Sequence, residues 1–250
     1  MMRILLIGEY SNVHWTLAEG LRRLGHEVCV VSDGDGWKGY RRDVDVSRRS
    51  TSRGDGMRLM MRVLGLLPRL CGYDIVQFIN PMFLELRASR LSPIYSYLRG
   101  HNGRTVLGAF GMDHYWVTTC LDTSVFRYSD FNIGGNLRLD EPQNRLFACE
   151  WLAGEKAELN RRMAAECDAI VSGLYEYDVC YRRFFPEKTS FIPFPVQLDE
   201  FRERRMNRER VRFFIGIQQE RSRYKGTDIM MNALTRVHRE FPDRCEIVRV

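Results

Sequence analysis

The chain has 250 residues, a hydrophobic fraction of 44% and a formal net charge of +6. This length and composition are typical of a globular protein with one or two domains and exclude a largely disordered chain. No apolar stretch reaches the roughly 18 residues that a membrane-spanning helix needs, and the positive charge favours an anionic partner such as a nucleotide, a nucleic acid or an acidic lipid.

The first residues predict a strand, a helix and a second strand. Arg3–Ile7 is a short apolar run that ends at Gly8. A segment with apolar residues at helical spacing follows, and Glu27–Ser32 is the second apolar run. This order predicts a parallel sheet with right-handed crossovers. Because the N-terminal run lacks the long apolar region and cleavage site of a signal peptide, we expect a cytoplasmic protein.

Polar residues follow the first strand, at the end where parallel sheets bind ligands. Ser11, Asn12 and His14 lie there and are candidate binding residues. A single histidine at the start of a helix is more commonly structural than catalytic, and this alternative stays open for His14. The loop has one glycine and lacks the G-x-G-x-x-G pattern of dinucleotide-binding enzymes, which counts against an NAD-dependent enzyme.

Two basic stretches come next. The stretch from Lys38 to Arg53 carries much of the excess positive charge and predicts a solvated, mobile loop. Met57–Leu70 predicts a helix with methionines on one face and with Arg58 and Arg62 on another. Such a helix either packs against the core with a basic edge exposed or lies on an anionic membrane surface.

Asp113 and His114 are the candidate catalytic residues. They follow a predicted strand over Thr105–Phe110, which comes after another over Asp74–Ile79. They therefore belong to the edge of the sheet where the first loop also lies. A helix cap is the structural alternative for Asp113.

The region after these residues predicts a loop-rich insertion and then regular elements. Residues 121–148 show weak periodicity and many polar residues. The remaining elements are helices over Glu150–Glu166 and Leu174–Phe184 and strands over Ala169–Ser172 and Thr189–Ile192, ending at Pro193.

A strand, a basic loop and a helix start make up residues 211–237. The run from Val211 to Ile215 predicts a buried strand that ends at Gly216. The loop contains Arg221, Arg223 and Lys225, and Gly226 begins a helical pattern. Since a helix N-terminus and nearby cations attract phosphate, we assign these four residues to phosphate binding. The alternative is an ordinary strand–loop–helix with a solvated basic loop.

This segment resembles the start of the second domain of GT-B glycosyltransferases, and is most similar to the retaining family 4, in which an Arg and a Lys hold the diphosphate of a nucleotide sugar. Lys225 matches the family Lys. The resemblance implies an α/β fold with a Rossmann-like N-terminal domain at 1–195, a linker at 196–209 and the incomplete beginning of a C-terminal nucleotide-sugar-binding domain at 210–250.

The resemblance also implies roles in the first domain. In the family the loop after the first strand lies near the acceptor and the diphosphate, which implies acceptor binding by Ser11, Asn12 and His14. The family commonly has His-Gly followed by Asp after the strand that corresponds to Thr105–Phe110. Here Phe110 stands at the His position, Asp113 matches, and His114 could replace the missing histidine. Phe194 stands where the family usually has Asn.

The implied function is the metal-independent, retaining transfer of a sugar from a nucleotide-diphosphate-sugar donor to a glycan, lipid or small acceptor. No cofactor is expected. The later part of the family's second domain, with its paired glutamates, is missing, so the chain alone should be inactive. Seven cysteines include no C-x-x-C pair and no zinc spacing, so no metal is expected.

A non-catalytic GT-B-like module that binds an anionic glycan or a membrane surface is the alternative, and Phe110 favours it. A nucleic-acid partner is not expected, since no known motif is present. The protein could also contact the inner face of the membrane peripherally.

Overall fold

The computed structural model of the chain describes residues 1–200, 210–217 and 226–250. They form two compact units, Met1–Gln197 and Leu198–Val250. The strands are β1 (Arg3–Ile7), β2 (Glu27–Ser32), β3 (Val44–Asp45), β4 (Ile75–Phe78), β5 (Arg104–Ala109), β6 (Tyr128–Ser129), β7 (Asn132–Ile133), β8 (Asn136–Leu137), β9 (Ala169–Ser172), β10 (Thr189–Phe191), β11 (Val211–Ile215) and β12 (Cys245–Arg249). The helices are α1 (Val13–Arg23), α2 (Arg53–Leu66), α3 (Ala88–Gly100), α4 (His114–Leu121), α5 (Pro142–Leu152), α6 (Glu155–Glu166), α7 (Tyr175–Arg182) and α8 (Thr227–Glu240).

The first unit contains a seven-stranded sheet in the order β10-β9-β5-β4-β1-β2-β3. Every pair of neighbours in it is parallel. All five strands that the sequence predicted for one sheet lie in it, which confirms the α/β class and the Rossmann-like sheet. The strand order reverses between β1 and β4, and in such sheets ligands bind beside this switch point.

Both faces of the sheet are covered. Along β1 the side chains alternate between two apolar clusters, because successive residues of a strand point to opposite faces. Leu5 packs in the larger cluster with residues of α2 and α3, whereas Leu6 packs in the smaller one with Ala18 of α1. A continuous apolar run is what such a doubly covered strand requires. No described helix is long enough and apolar enough to cross a membrane.

Two segments that were expected to be irregular consist mostly of turns and loops but contain some regular structure. Residues 121–148 contain the small antiparallel sheet β6–β7–β8, and the basic stretch after Lys38 contains β3, which pairs with β2. Two of the charged side chains in that stretch form ion pairs: Lys38 pairs with Asp35 and Arg42 with Asp45. Local ion pairs of this kind cannot be inferred from a charge count.

The single helix predicted over Glu150–Glu166 is two helices, α5 and α6. The chain turns at Gly154, which is the N-cap of α6 and has an extended backbone. A Cβ atom at this position would lie 3.0 Å from the carbonyl oxygen of Glu150, so glycine permits the tight turn. Helix α3 was not predicted, and Pro93 lies within it.

The second unit contains a parallel β11–α8–β12 arrangement, which has the elements predicted from the sequence. The prediction that β11 is buried was wrong except at Ile215. Phe214 is 71% exposed, and Thr227 is the one buried residue of α8. The reason is that one helix beside a two-stranded sheet covers one face of it, and among the described residues no second layer covers the other face.

Candidate functional site

The loops after β1, β4 and β5 contact one another beside the switch point. The Tyr10 hydroxyl lies 3.4 Å from Oδ1 of Asn80, and Nδ2 of Asn80 donates to the carbonyl oxygen of Met112 at 3.4 Å. A Cβ atom on Gly111 would lie 3.6 Å from the Tyr10 ring. These contacts join three loops that are far apart in the chain. The structure therefore brings the loop of Ser11 and Asn12 and the loop before Asp113 to one edge.

The turn into α1 has an unusual backbone. Ser11 and Asn12 both have left-handed conformations, with φ of 53° and 65°. The Ser11 N–H donates to the carboxylate of Asp35 at 2.8 Å, and the Asn12 side chain makes no capping hydrogen bond to α1. Non-glycine residues with positive φ cost energy and occur at functional turns more than elsewhere. The Asn12 side chain therefore has no capping role in α1.

The Glu9 side chain caps the N-terminus of α1. This role was not predicted from the sequence. Its two carboxylate oxygens accept the N–H groups of His14 at 3.2 Å and Trp15 at 2.9 Å. Burial raises the pKa of Glu9 to about 7, against the opposing effect of those hydrogen bonds. Since the chain's own carboxylate occupies the positive end of the helix, this N-terminus is not open to a phosphate.

His14 lies in the core, with no exposed surface. Its Nδ1 atom is 2.8 Å from the carbonyl oxygen of Gly8, and Nε2 is 3.1 Å from the side-chain nitrogen of Gln77. Nδ1 therefore carries the proton and Nε2 accepts from Gln77. Burial lowers the pKa of His14 to about 4, so the ring is neutral. It joins β4 to the turn after β1, and both ring nitrogens are used by the chain.

Asp113 is fully buried and caps α4. Oδ1 accepts the N–H of Trp116 at 2.8 Å, and Oδ2 accepts the hydroxyl of Tyr181 at 2.6 Å. Asn160 in turn donates to the Tyr181 oxygen at 3.0 Å. Burial raises the pKa of Asp113 to about 6. The structural alternative, a helix cap, accounts for both oxygens, and neither faces solvent.

His114 is the more accessible member of the predicted pair. Its Nδ1 donates to the carbonyl oxygen of Trp151 at 2.7 Å, and its backbone N–H donates to Asn160 at 2.9 Å. Burial lowers the pKa of His114, so the neutral ring is favoured. Because Nδ1 carries the proton, the Nε2 lone pair can accept a hydrogen bond.

Phe110 and Phe194, at two positions where this chain differs from the resembled family, pack against each other. Their ring centroids are 5.2 Å apart with an interplanar angle of 73°. Phe194 also lies directly over Gly173, where an added Cβ atom would overlap its ring. The glycine after β9 thus makes room for an aromatic pair that closes the surface at the end of β5.

A groove of about 680 Å³ lies at the same edge of the sheet. It is bordered by the segments that lead into α2, α3 and α6, and its charged lining consists of Arg48, Glu85, Arg87, Glu150, Glu155 and Lys156. The sequence did not single out these residues as a site, because they come from three separate segments. The groove is thus lined by three cations and three carboxylates, with two hydroxyls beside them.

Arg48 lines the groove and is anchored there by backbone carbonyls. Its terminal nitrogens donate to the carbonyl oxygens of Ser52 at 2.7 Å and Glu85 at 3.5 Å. Its Nε is buried and has no hydrogen-bond partner among the described residues. Lys156 pairs with Glu150 at 2.6 Å and lies 5.4 Å from the ring centroid of Trp151. Trp151 links this wall of the groove to His114.

The predicted phosphate site is described in part. Gly226 is the N-cap of α8 in a left-handed conformation with φ of 62°, and no described side chain caps this helix. Arg221, Arg223 and Lys225 lie outside the described residues. Asp228 is in the first turn and is exposed. The described residues contain no cluster of His, Cys, Asp or Glu that could hold a metal ion.

No protein-family model and no curated protein matches this sequence. Among solved structures, S. aureus MnaA in a co-structure with UDP matches with a TM-score of 0.53 and 11% identity, over 100% of this chain and 62% of its own length. A putative UDP-N-acetylglucosamine 2-epimerase from Listeria monocytogenes matches with a TM-score of 0.50 and 12% identity. The match covers 99% of this chain and 62% of that protein. This chain spans about 62% of the length of each. At such identity the similarity shows the fold alone, which is Rossmann-like and of the GT-B type.

Proposed function

We propose that this chain belongs to a GT-B-type glycosyltransferase that uses a nucleotide-diphosphate sugar. The observation that carries the proposal is the start of α8. There a helix of 14 residues begins at a left-handed glycine without a described side-chain cap, directly after a loop with Arg221, Arg223 and Lys225. The first-turn N–H groups and the helix dipole favour an anion at this position.

In this proposal the basic loop and the α8 N-terminus neutralise the diphosphate as it leaves the sugar. Charge placed where charge develops is commonly the largest contribution to such catalysis. The Asp228 carboxylate in the first turn of α8 repels phosphate and so weakens this neutralisation. Lys225 and a loop arginine are therefore needed to make the site positive. Independence from a metal and retention of configuration are part of the proposal, and both come from the resemblance to family 4.

The groove is the proposed acceptor site. Its carboxylates can accept hydrogen bonds from sugar hydroxyls, and Arg48 and Lys156 can hold a phosphate or carboxylate of a glycan or a lipid-linked acceptor. His114 is the proposed hydrogen-bond acceptor for the attacking hydroxyl through its Nε2 atom. Asp113 is a positioning residue, since it holds the start of α4 from which His114 projects.

Calorimetric titration of UDP-, GDP- and ADP-sugars into the full-length protein tests the donor site. Lys225→Ala should weaken binding of the preferred donor by about 1.5–3 kcal/mol, the range for a hydrogen bond to a charged group. Arg236→Ala, which removes an exposed cation from α8, is the matched control and should bind as the unaltered protein does. Equal affinities for Lys225→Ala and the unaltered protein, both folded by circular dichroism, would refute the assignment.

A second candidate is a binding module or a nucleotide-sugar enzyme that needs no acceptor. The burial of Phe110 against Phe194 favours it, because no histidine occupies the family position. The UDP-N-acetylglucosamine 2-epimerase activity named for one structural neighbour belongs to this second class. Incubation with the donor and product analysis separates the candidates: transfer to an added acceptor supports the first, and epimerisation or binding without turnover supports the second.

A further inference from the structure

Helix α2 has apolar side chains on two different faces. Gly56, Leu59 and Val63 are buried and hold the helix on the sheet. Met57, Met61 and Leu64 are 52%, 63% and 43% exposed. Their spacing of four and three residues aligns them along one line of the helix surface. In addition to its core-facing side chains, helix α2 therefore has a second apolar face that is exposed to solvent.

Arginines border this exposed line on both sides. At 100° per residue, Arg53 lies on one side of it, and Arg58 and Arg62 lie on the other. All three are exposed, as are Arg49 and Arg69 at the two ends of the segment. Asp55 is the one acidic residue between positions 48 and 69, and it already pairs with Arg58 at 3.0 Å. The surface is thus apolar at its centre and positive at its margins.

We propose that the α2 face, defined as Met57, Met61 and Leu64 with the flanking Arg53, Arg58 and Arg62, docks on an anionic lipid bilayer. The helix lies in the plane of the membrane, with its apolar line among the acyl chains and its arginines at the headgroup phosphates. This arrangement of apolar centre and basic flanks is the one that interfacial helices use. Long arginine side chains reach the headgroups while their stems cover apolar surface.

The size of the α2 face favours a bilayer over a protein. From Met57 to Leu64 the apolar line is about 10 Å long at a rise of 1.5 Å per residue. A stable protein interface buries about 800 Å² on each partner, which three side chains cannot supply. A bilayer needs shallow insertion and charge attraction, and each arginine near an anionic surface contributes about a fivefold change in affinity.

Docking would also place the groove close to the lipid. Arg48, Ser50 and Thr51 line the groove and immediately precede α2, whose N-cap is Ser52. A lipid-linked acceptor could then enter the groove from the membrane surface. This point alone rests on the proposed function, whereas docking itself needs no sugar chemistry.

Co-sedimentation of the full-length protein with vesicles tests the proposal. Vesicles of phosphatidylcholine with phosphatidylglycerol should bind the protein, vesicles of phosphatidylcholine alone should not, and added salt should weaken binding. Met57→Ser/Met61→Ser/Leu64→Ser should lose at least tenfold in affinity, and Arg58→Gln/Arg62→Gln should lose about 25-fold. Leu24→Ser/Arg104→Gln, which alters an exposed leucine and an exposed arginine elsewhere in the first unit, should bind as before.

Several results would overturn the proposal. They are absence of binding by the unaltered protein, equal binding to neutral vesicles, and full binding by the serine variant, which would indicate general adsorption of a basic protein. Binding of poly-glutamate through these residues without vesicle binding would indicate an acidic protein partner instead. Because no nucleotide sugar is present in the assay, its failure leaves the proposed donor site untouched.

Discussion

Phe110 and Phe194 form an edge-to-face pair with ring centroids 5.2 Å apart. Phe110 directly follows β5 and Phe194 follows β10, so the contact joins segments about 80 residues apart in the chain. The resemblance of the sequence to family 4 glycosyltransferases implies His and Asn at these two positions. The two differences are thus coupled in space, since each ring is the other's packing partner.

Removal of either ring should destabilise the first unit, and the two effects should not add. Phe110→Ala is expected to cost about 3–4 kcal/mol of unfolding free energy, as buried Phe→Ala changes do. The double variant with Phe194→Ala should show a coupling energy of about 0.5–1.5 kcal/mol. Urea unfolding of the four proteins measures it. Strict additivity would mean that the two rings contribute independently.

Gly173→Ala tests the close packing under Phe194. An added Cβ atom overlaps the phenyl ring, so we expect a loss of about 1–3 kcal/mol, the usual cost of overpacking. In the Phe194→Ala background the same change should cost less than about 0.5 kcal/mol, because the ring is gone and alanine reduces the freedom of the unfolded chain. Thermal or urea unfolding decides, and an equal cost in both backgrounds would contradict the explanation.

His14 should make the protein sensitive to acid. Its folded-state pKa is lowered from 6.5 to about 4, so the unfolded chain takes up a proton that the native core excludes. The stability from this group is complete above pH 6.5 and is lost as the pH falls towards 4, by about 3 kcal/mol in all. Glu9, with a pKa raised from 4.5 to about 7, acts in the opposite direction, losing stability as the pH rises through that range.

The variant His14→Gln isolates the histidine contribution. The difference in unfolding free energy between the unaltered protein and His14→Gln should shrink by about 3 kcal/mol between pH 7 and pH 4. The Glu9 contribution is common to both proteins and cancels in the difference. Urea unfolding at a series of pH values measures it, and a difference that does not change with pH would show that His14 is not buried as a neutral ring.

Arg48→Met should weaken binding of the acceptor without changing the affinity for the nucleotide-sugar donor. The variant keeps much of the side chain's volume and removes the guanidinium that lines the groove. KM for an anionic acceptor should rise about tenfold or more, the equivalent of 1.4 kcal/mol or more for a charge-assisted contact, with donor affinity unchanged. Arg104→Met, at the start of β5 and so at the opposite edge of the sheet, is the matched control. An unchanged KM would remove the groove from the acceptor site.

The strands of the first unit could be predicted because their signal is local. An apolar run such as Arg3–Ile7, which ends at a glycine, carries enough information by itself. The two-helix arrangement of α5 and α6 could not be predicted from the sequence, since the break at Gly154 is a turn inside a continuous helical pattern. Burial of β11 was also overestimated, because burial depends on which layers cover a strand and not on its own side chains.

The candidate site divides in the same way. Asn12, Asp113 and His114 follow β1 and β5 at one edge of the sheet, as the rule that parallel strands end together predicts, and their roles stay predictions. The rule does not predict the hydrogen-bond partners of these side chains. Tyr181 donates to Asp113 and Gln77 donates to His14, and in each pair the two residues are distant in the chain. Local patterns were therefore enough for the α/β class, for five strands of the sheet and for the helix that follows Lys225. The strand order, the Glu9 carboxylate on α1, the Phe110–Phe194 pair and the groove all depend on contacts between distant segments, which exist only once the chain has packed.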